Sequence, residues 1–125
     1  MSGNDHSEEI EALQQVFRDE ALELLDRLET CLLDIEQGAG DHSLVEESFR
    51  HLHTLKGIAA MYGHDRLSAI SHALESCFDG PRRAGRGAVP QATVHLALES
   101  LDCMRALAGA GEDGDNTSAC ADADQ

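Results

Sequence analysis

The stretch with the clearest chemical potential is Phe49-Arg50-His51-Leu52-His53-Thr54-Leu55-Lys56-Gly57. On a helix of about 100° per residue, Lys56 and Gly57 each fall within about 60° of His53, one on either side. Leu55, Ala59 and Tyr62 fall on the opposite side. The apolar side then packs inward, and His53 stands in water between a cation and a residue with no side chain. An exposed imidazole with free approach and a nearby ammonium is well placed to accept an anionic group. His51 is the rival acceptor, but it lies about 160° from His53 on the same wheel, turned towards the packed side.

These side chains need helices to hold them, and the composition supplies helices. Leu, Ala, Glu and Asp abound and β-branched residues are few, which argues against a sheet. The period of apolar residues predicts four helices. The first runs over roughly 8–37, capped by Ser7 after a frayed segment 1–7. Its apolar face is Ile10, Leu13, Phe17, Ala21, Leu24, Leu28, Cys31 and Ile35, and Gly38-Ala39-Gly40 ends it. Asp41 or Ser43 caps the second helix, Ser43 forming a capping box with Glu46, and that helix reaches about Tyr62. Gly63 stops it and Asp65 caps a third, with Leu67, Ile70, Leu74, Cys77 and Phe78 on its apolar face. Asp79-Gly80-Pro81 ends the third helix, and 79–89 is a loop carrying Arg82, Arg83 and Arg86. Pro90 opens the fourth, which buries Val94, Ala97, Leu98, Leu101, Met104 and Ala108 with Leu107 at the edge. Short joints at 38–42 and 63–65 imply an all-α, antiparallel up-and-down four-helix bundle over 8–109. Residues 110–125 read as an acidic linker or tail.

On the third helix His72 and Glu75 share a face, opposite Ile70 and Leu74. Beside helix 2 this face completes a surface site. Glu75 is suited to accept a hydrogen bond from one ring nitrogen of His53, leaving the lone pair of the other nitrogen outward as a nucleophile. Lys56 would then sit where an added phosphoryl group needs positive charge.

Charge and spacing narrow the alternatives. Nine basic against 24 acidic residues give a net charge of −15, which disfavours nucleic acid and anionic membrane as partners. No apolar run is long enough to span a bilayer and no signal peptide is visible, so a cytoplasmic protein is expected. The four cysteines show no ligand spacing and read as reduced thiols without a chemical role, Cys31 and Cys77 on apolar faces, Cys103 on an outer face and Cys120 in the tail. The seven histidines contain no HExxH-like pair, so no metal is expected, and His6, His42, His64 and His95 read as surface or loop-edge residues.

The run His53-Thr54-Leu55-Lys56-Gly57, preceded by Phe49-Arg50, resembles the H-x-[LI]-K-G signature of histidine-containing phosphotransfer (HPt) domains. More closely, the chain is similar to the N-terminal phosphoacceptor domain of CheA-type chemotaxis histidine kinases. Phe17, Glu20, Leu24, Leu25 and Leu28 follow that subfamily's helix 1 pattern, and His72 and Glu75 stand at its H-x-x-E pair. The resemblance covers about residues 10–108. It departs at Ile58-Ala59-Ala60, where chemotaxis kinases often have a glycine-rich run, and after Gly109, where the family often adds a fifth, short helix.

The resemblance implies that His53 is phosphorylated on Nε2, with Glu75 bonding Nδ1 and Lys56 and His72 tuning reactivity. It implies two partners: a histidine kinase ATP-binding domain that loads the site, and a CheY-like receiver whose aspartate removes the phosphoryl group. Receiver docking would use Phe49, His53, Gly57 and Ala60. ATP would reside on the kinase and Mg²⁺ on the receiver, with no cofactor on this chain and a monomer as the expected state. The sequence has no ATP-binding glycine motif, so the chain is read as a substrate and carrier, a fragment continuing into further signalling domains. A free-standing phosphorelay protein and an unphosphorylated helical interaction module are the alternatives.

Overall fold

The computed structural model describes residues 2–38, 42–85 and 89–109, with side chains from residue 7 onward. Four helices account for nearly all of them: α1 (Ser2–Glu36), α2 (His42–Met61), α3 (Asp65–Ala84) and α4 (Gln91–Gly109). They form an antiparallel bundle in which each helix packs on its neighbours in the order α1, α2, α3, α4 and back to α1. The diagonal pairs keep their backbones further apart among the described residues, and the most extensive seam is that between α2 and α3.

One core runs down the centre. Phe17, Ala21, Leu25, Leu28 and Leu32 from α1 meet Val45, Leu52, Leu55 and Ala59 from α2. Leu67, Leu74 and Phe78 from α3 and Val94, Ala97, Leu101 and Met104 from α4 close it. The spacings of three and four that predict these helices are the spacings that place the side chains in one core. The α2–α3 joint is tight because Gly63 takes φ +84°, letting the His64 amide donate to the Ala59 carbonyl at 2.8 Å.

Several boundaries differ from the sequence expectation. α1 begins at Ser2, so residues 2–7 are helical and Ser7 lies inside the helix. Gly3 is the only glycine or proline before Gly38, and it falls in the first turn, where few hydrogen bonds depend on it. Ser43 lies inside α2 and is not its cap, while Asp41 is outside the described residues. Asp65 sits in the first turn of α3, where its charge suits the helix dipole, and His64 takes the cap position.

Of the expected loop 79–89, residues 79–84 are helix. α3 carries Pro81 within it and stops at Gly85, which adopts φ +67°. Proline removes one main-chain donor near the end of a helix, and ion pairs from Arg82 and Arg83 to Asp79, both at 3.0 Å, brace the turn. Arg86, the loop's third arginine, and the tail 110–125 with its possible extra helix lie outside the described residues.

The buried faces also differ in places. Ile10 and Leu13 are exposed, because a 35-residue helix outruns its neighbours of 20 and 19 residues by about 20 Å at 1.5 Å per residue. Leu25 is fully buried and Leu24 only partly. Cys77 is exposed, at the edge of the α3 stripe formed by Leu67, Ser71, Leu74 and Phe78. Cys103 is buried and disulfide-bonded, not an outward thiol, because α4 packs on both α1 and α3 and buries a wider arc than one stripe. Cys31 and Cys77 are free thiols.

His64 is neither exposed nor a loop-edge residue. It is 5% exposed, stacks on Phe17 with ring centroids 4.0 Å apart, and pairs through Nε2 with Gln14 Oε1 at 2.8 Å. Both partners come from α1. His42 and His95 are paired at the surface with Glu46 and Glu36. No helix among the described residues is long and apolar enough to cross a membrane.

Candidate functional site

The α2–α3 seam brings His53, Lys56 and Glu75 together although 22 residues separate the first from the last. Leu52 and Leu55 anchor α2 in the core, which turns His53 outward; its side chain is 63% exposed. Leu74 and Phe78 anchor α3, which sets Glu75 at the seam rather than in open water; its side chain is 8% exposed. Ser68 Oγ donates to the Lys56 carbonyl at 3.0 Å and ties the two helices beside the site.

Glu75 is shared between two neighbours. Oε2 lies 2.5 Å from His53 Nδ1, and Oε1 lies 2.8 Å from Lys56 Nζ. Burial pushes the Glu75 carboxyl up, but the Lys56 and His53 hydrogen bonds and the Lys56 charge outweigh it and hold the group below the ordinary carboxylate range. The carboxylate is therefore ionised at neutral pH and can only accept. His53 Nδ1 must then carry the proton and donate. In the neutral ring this leaves the Nε2 lone pair free, and no described residue hydrogen-bonds to it.

A shallow cavity of about 270 Å³ adjoins this pair, lined by Phe49, Lys56, His72, Glu75, Ser76 and Asp79. His72 is exposed on its rim. Of the remaining residues singled out in the sequence, Phe49 is half-buried, and Gly57 and Ala60 are exposed on the outer face of α2. A Cβ built on Gly57 would meet nothing within 4 Å. His51 is turned away and pairs with Glu47 at 3.1 Å.

The structure adds a support that reaches the site from both helices. The Phe49 ring lies parallel to the His53 ring, within 11°, with centroids 6.2 Å apart. Arg82 of α3 stands 4.2 Å over the other residue of that pair, Phe49, and is held by Asp79 at 3.0 Å and Glu46 at 3.8 Å. Its only sequence signal was the cluster of arginines after Asp79, which reads equally well as a loop. The one convergent set of metal-type donors among the described residues, Cys31, Glu47 and His51, lies between α1 and α2 and away from His53.

Chemically, the arrangement is a fixed, exposed imidazole with one nitrogen held by a carboxylate, its other nitrogen nucleophilic, and an ammonium alongside. Comparison with known proteins identifies the family of the domain as a whole. The Hpt domain family profile matches residues 12–114. The chain is 40% identical over 97 residues to the chemotaxis protein CheA of Treponema pallidum, covering 78% of this chain and 12% of that protein. It is 37% identical over 99 residues to CheA of Klebsiella aerogenes, covering 79% of this chain and 15% of that protein. It is 34% identical over 99 residues to CheA of Bacillus subtilis, with the same shares. The chain thus corresponds to less than a sixth of the length of these relatives. No solved structure gave a significant match. With the profile covering most of its length, and with four helices and no strand among its described residues, the chain belongs to the Hpt domain family.

Proposed function

We propose that this chain is a phosphoacceptor and carrier of a chemotaxis-type two-component system, with His53 as the residue that holds the phosphoryl group. The observation that carries the reading is the 2.5 Å contact between His53 Nδ1 and Glu75, which fixes the tautomer and leaves Nε2 outward. In loading, Nε2 attacks the γ-phosphorus of ATP held by a histidine kinase domain, a nitrogen–phosphorus bond forms, and ADP leaves. Positive charge develops on the ring as its lone pair is used. The Glu75 carboxylate, already bound to the Nδ1 proton, stabilises that charge. Lys56, beside the ring and shared with Glu75, supplies positive potential for the phosphoryl oxygens in a chain of net charge −15.

In unloading, an aspartate carboxylate of a CheY-like receiver attacks the same phosphorus. The nitrogen–phosphorus bond breaks and His53 returns to the neutral tautomer. ATP and Mg²⁺ are brought by the partners, and His53, Lys56, Glu75 and the rim residue His72 are this chain's share of the site. The open surface at Gly57 and Ala60 lets a partner's loop approach the histidine.

The test is incubation with a CheA-type kinase domain and ATP, followed by mass spectrometry at neutral pH. The expected product is one phosphoryl group on His53, stable in base, lost in acid, and removed by a Mg²⁺-bound receiver. His53→Gln is expected to abolish loading while changing stability by no more than about 0.5 kcal/mol, since the ring is largely in water. Full loading of that variant would overturn the assignment. Absence of loading by any kinase would favour an interaction module.

A further inference from the structure

On the side of α2 turned away from His53, three groups of different chemistry converge. Cys31 of α1 and Glu47 and His51 of α2 present donor atoms that all lie within 4.8 Å of one another. Glu47 and His51 are one helical turn apart, with His51 Nε2 3.1 Å from Glu47 Oε2. Cys31 is 3% exposed, and the side chains of His51 and Glu47 are 14% and 42% exposed, so the cluster is closed at the sulfur and open to water at the carboxylate. The Ser48 hydroxyl is fully buried here, without a hydrogen-bond partner of standard geometry.

We propose that Cys31, Glu47 and His51 form a binding site for a borderline-soft divalent cation of the Zn²⁺ type, which clamps α1 to α2. Tetrahedral zinc with sulfur, nitrogen and oxygen ligands needs donor separations of about 3.3–3.6 Å, within reach of small rotamer changes here. A thiolate, a carboxylate and a neutral imidazole carry two negative charges, which a divalent cation neutralises. The sulfur selects against Mg²⁺ and Ca²⁺. Three protein ligands leave a fourth position for water on the Glu47 side, where the cluster meets solvent. The Ser48 hydroxyl then donates to the metal-bound sulfur, as outer groups around such ligands do.

Without a cation, burial and Glu47 push the Cys31 thiol up to about 12, so the sulfur keeps its proton and bonds Glu47. Binding exchanges that proton for the cation and releases it to solvent. No such site is visible in the sequence, because its three ligands come from two helices and only Glu47 and His51 share a recognisable spacing.

The test uses the whole chain, stripped with chelator, with Cys77→Ser to remove the exposed free thiol. Co²⁺ is added first, then Zn²⁺. The expected result is a thiolate-to-cobalt charge-transfer band that saturates at one equivalent, bleaches on Zn²⁺ addition, and is absent in Cys31→Ser and in His51→Gln. Zn²⁺ is expected to raise the unfolding midpoint of the parent and not of either variant. If Cys31→Ser fails to fold by circular dichroism, His51→Gln decides the matter alone, since its side chain is at the surface edge. Absence of the band, its survival in a folded variant, or Co²⁺ binding through histidines without it would each overturn the site.

Discussion

Glu75 and His53 lie 2.5 Å apart with opposite exposures, the carboxylate 8% and the imidazole 63% exposed. A buried carboxylate thus holds an exposed imidazole. The carboxyl of Glu75 is held below its ordinary value of 4.5 because, although burial raises it, hydrogen bonds from Lys56 and His53 outweigh burial. The unfolded chain then binds more protons in acid than the folded chain, and stability rises with pH there. The Glu75 contribution is fully present above 4.5 and is lost as pH falls through the folded value. Glu75→Gln removes it. Urea midpoints of parent and variant are expected to separate above this range and to converge in acid. The same variant keeps an acceptor for Nδ1 but loses the charge, so loading of His53 is expected to slow about tenfold. Unchanged loading kinetics would show that the contact is structural only.

Gly57 is expected to separate stability from function. A glycine inside a helix costs about 1 kcal/mol relative to alanine, and a Cβ here meets nothing within 4 Å. Gly57→Ala should therefore raise stability by about 0.5–1 kcal/mol in chemical denaturation. It should also slow phosphoryl transfer to the receiver, because the new methyl group stands on the face proposed for partner docking. A more stable variant with unchanged transfer would show that this face stays clear of the partner.

The helices were legible because their apolar residues recur at the period of one buried stripe, and the grouping of His53, Lys56 and Glu75 was legible because the short joint between them makes α2 and α3 neighbours. What escaped depends on the neighbours of each helix. Ile10 and Leu13 fit the stripe of α1 but project past the ends of α2 and α4. Cys103 lies off the stripe of α4 but under two partners. Pro81 reads as a stop, yet Asp79 holds the following turn through two arginines. Glu75 fits a solvated face on the wheel, and its burial follows only from the closeness of the α2–α3 seam.

Arg82 joins the end of α3 to the start of α2 through Phe49, Asp79 and Glu46. Arg82→Ala is expected to cost about 1 kcal/mol, since a half-exposed cation–aromatic contact and ion pairs at the surface each contribute modestly. The more telling effect is on geometry. With the guanidinium gone, Phe49 is free to move, and the ring-current shifts of the His53 protons should change in NMR spectra. Arg82→Lys should restore the ion pair with Asp79 better than the stacked contact. Identical His53 shifts in parent and alanine variant would remove Phe49 from the support of the site.

His64 is expected to matter for the fold and not for the chemistry. It stacks on Phe17, the aromatic at the end of the core, and pairs with Gln14, so it fastens the α2–α3 joint to α1. His64→Ala removes a buried ring and leaves Gln14 without this partner, at an expected cost of about 2 kcal/mol. At a temperature where the variant is still folded, loading of His53 should proceed at the parental rate, because Phe17 and Gln14 hold His64 against α1, whereas His53, Lys56 and Glu75 meet at the α2–α3 seam. Thermal unfolding and a loading assay on the same preparation distinguish the two roles. A variant of parental stability with impaired loading would instead place His64 in the phosphotransfer chemistry.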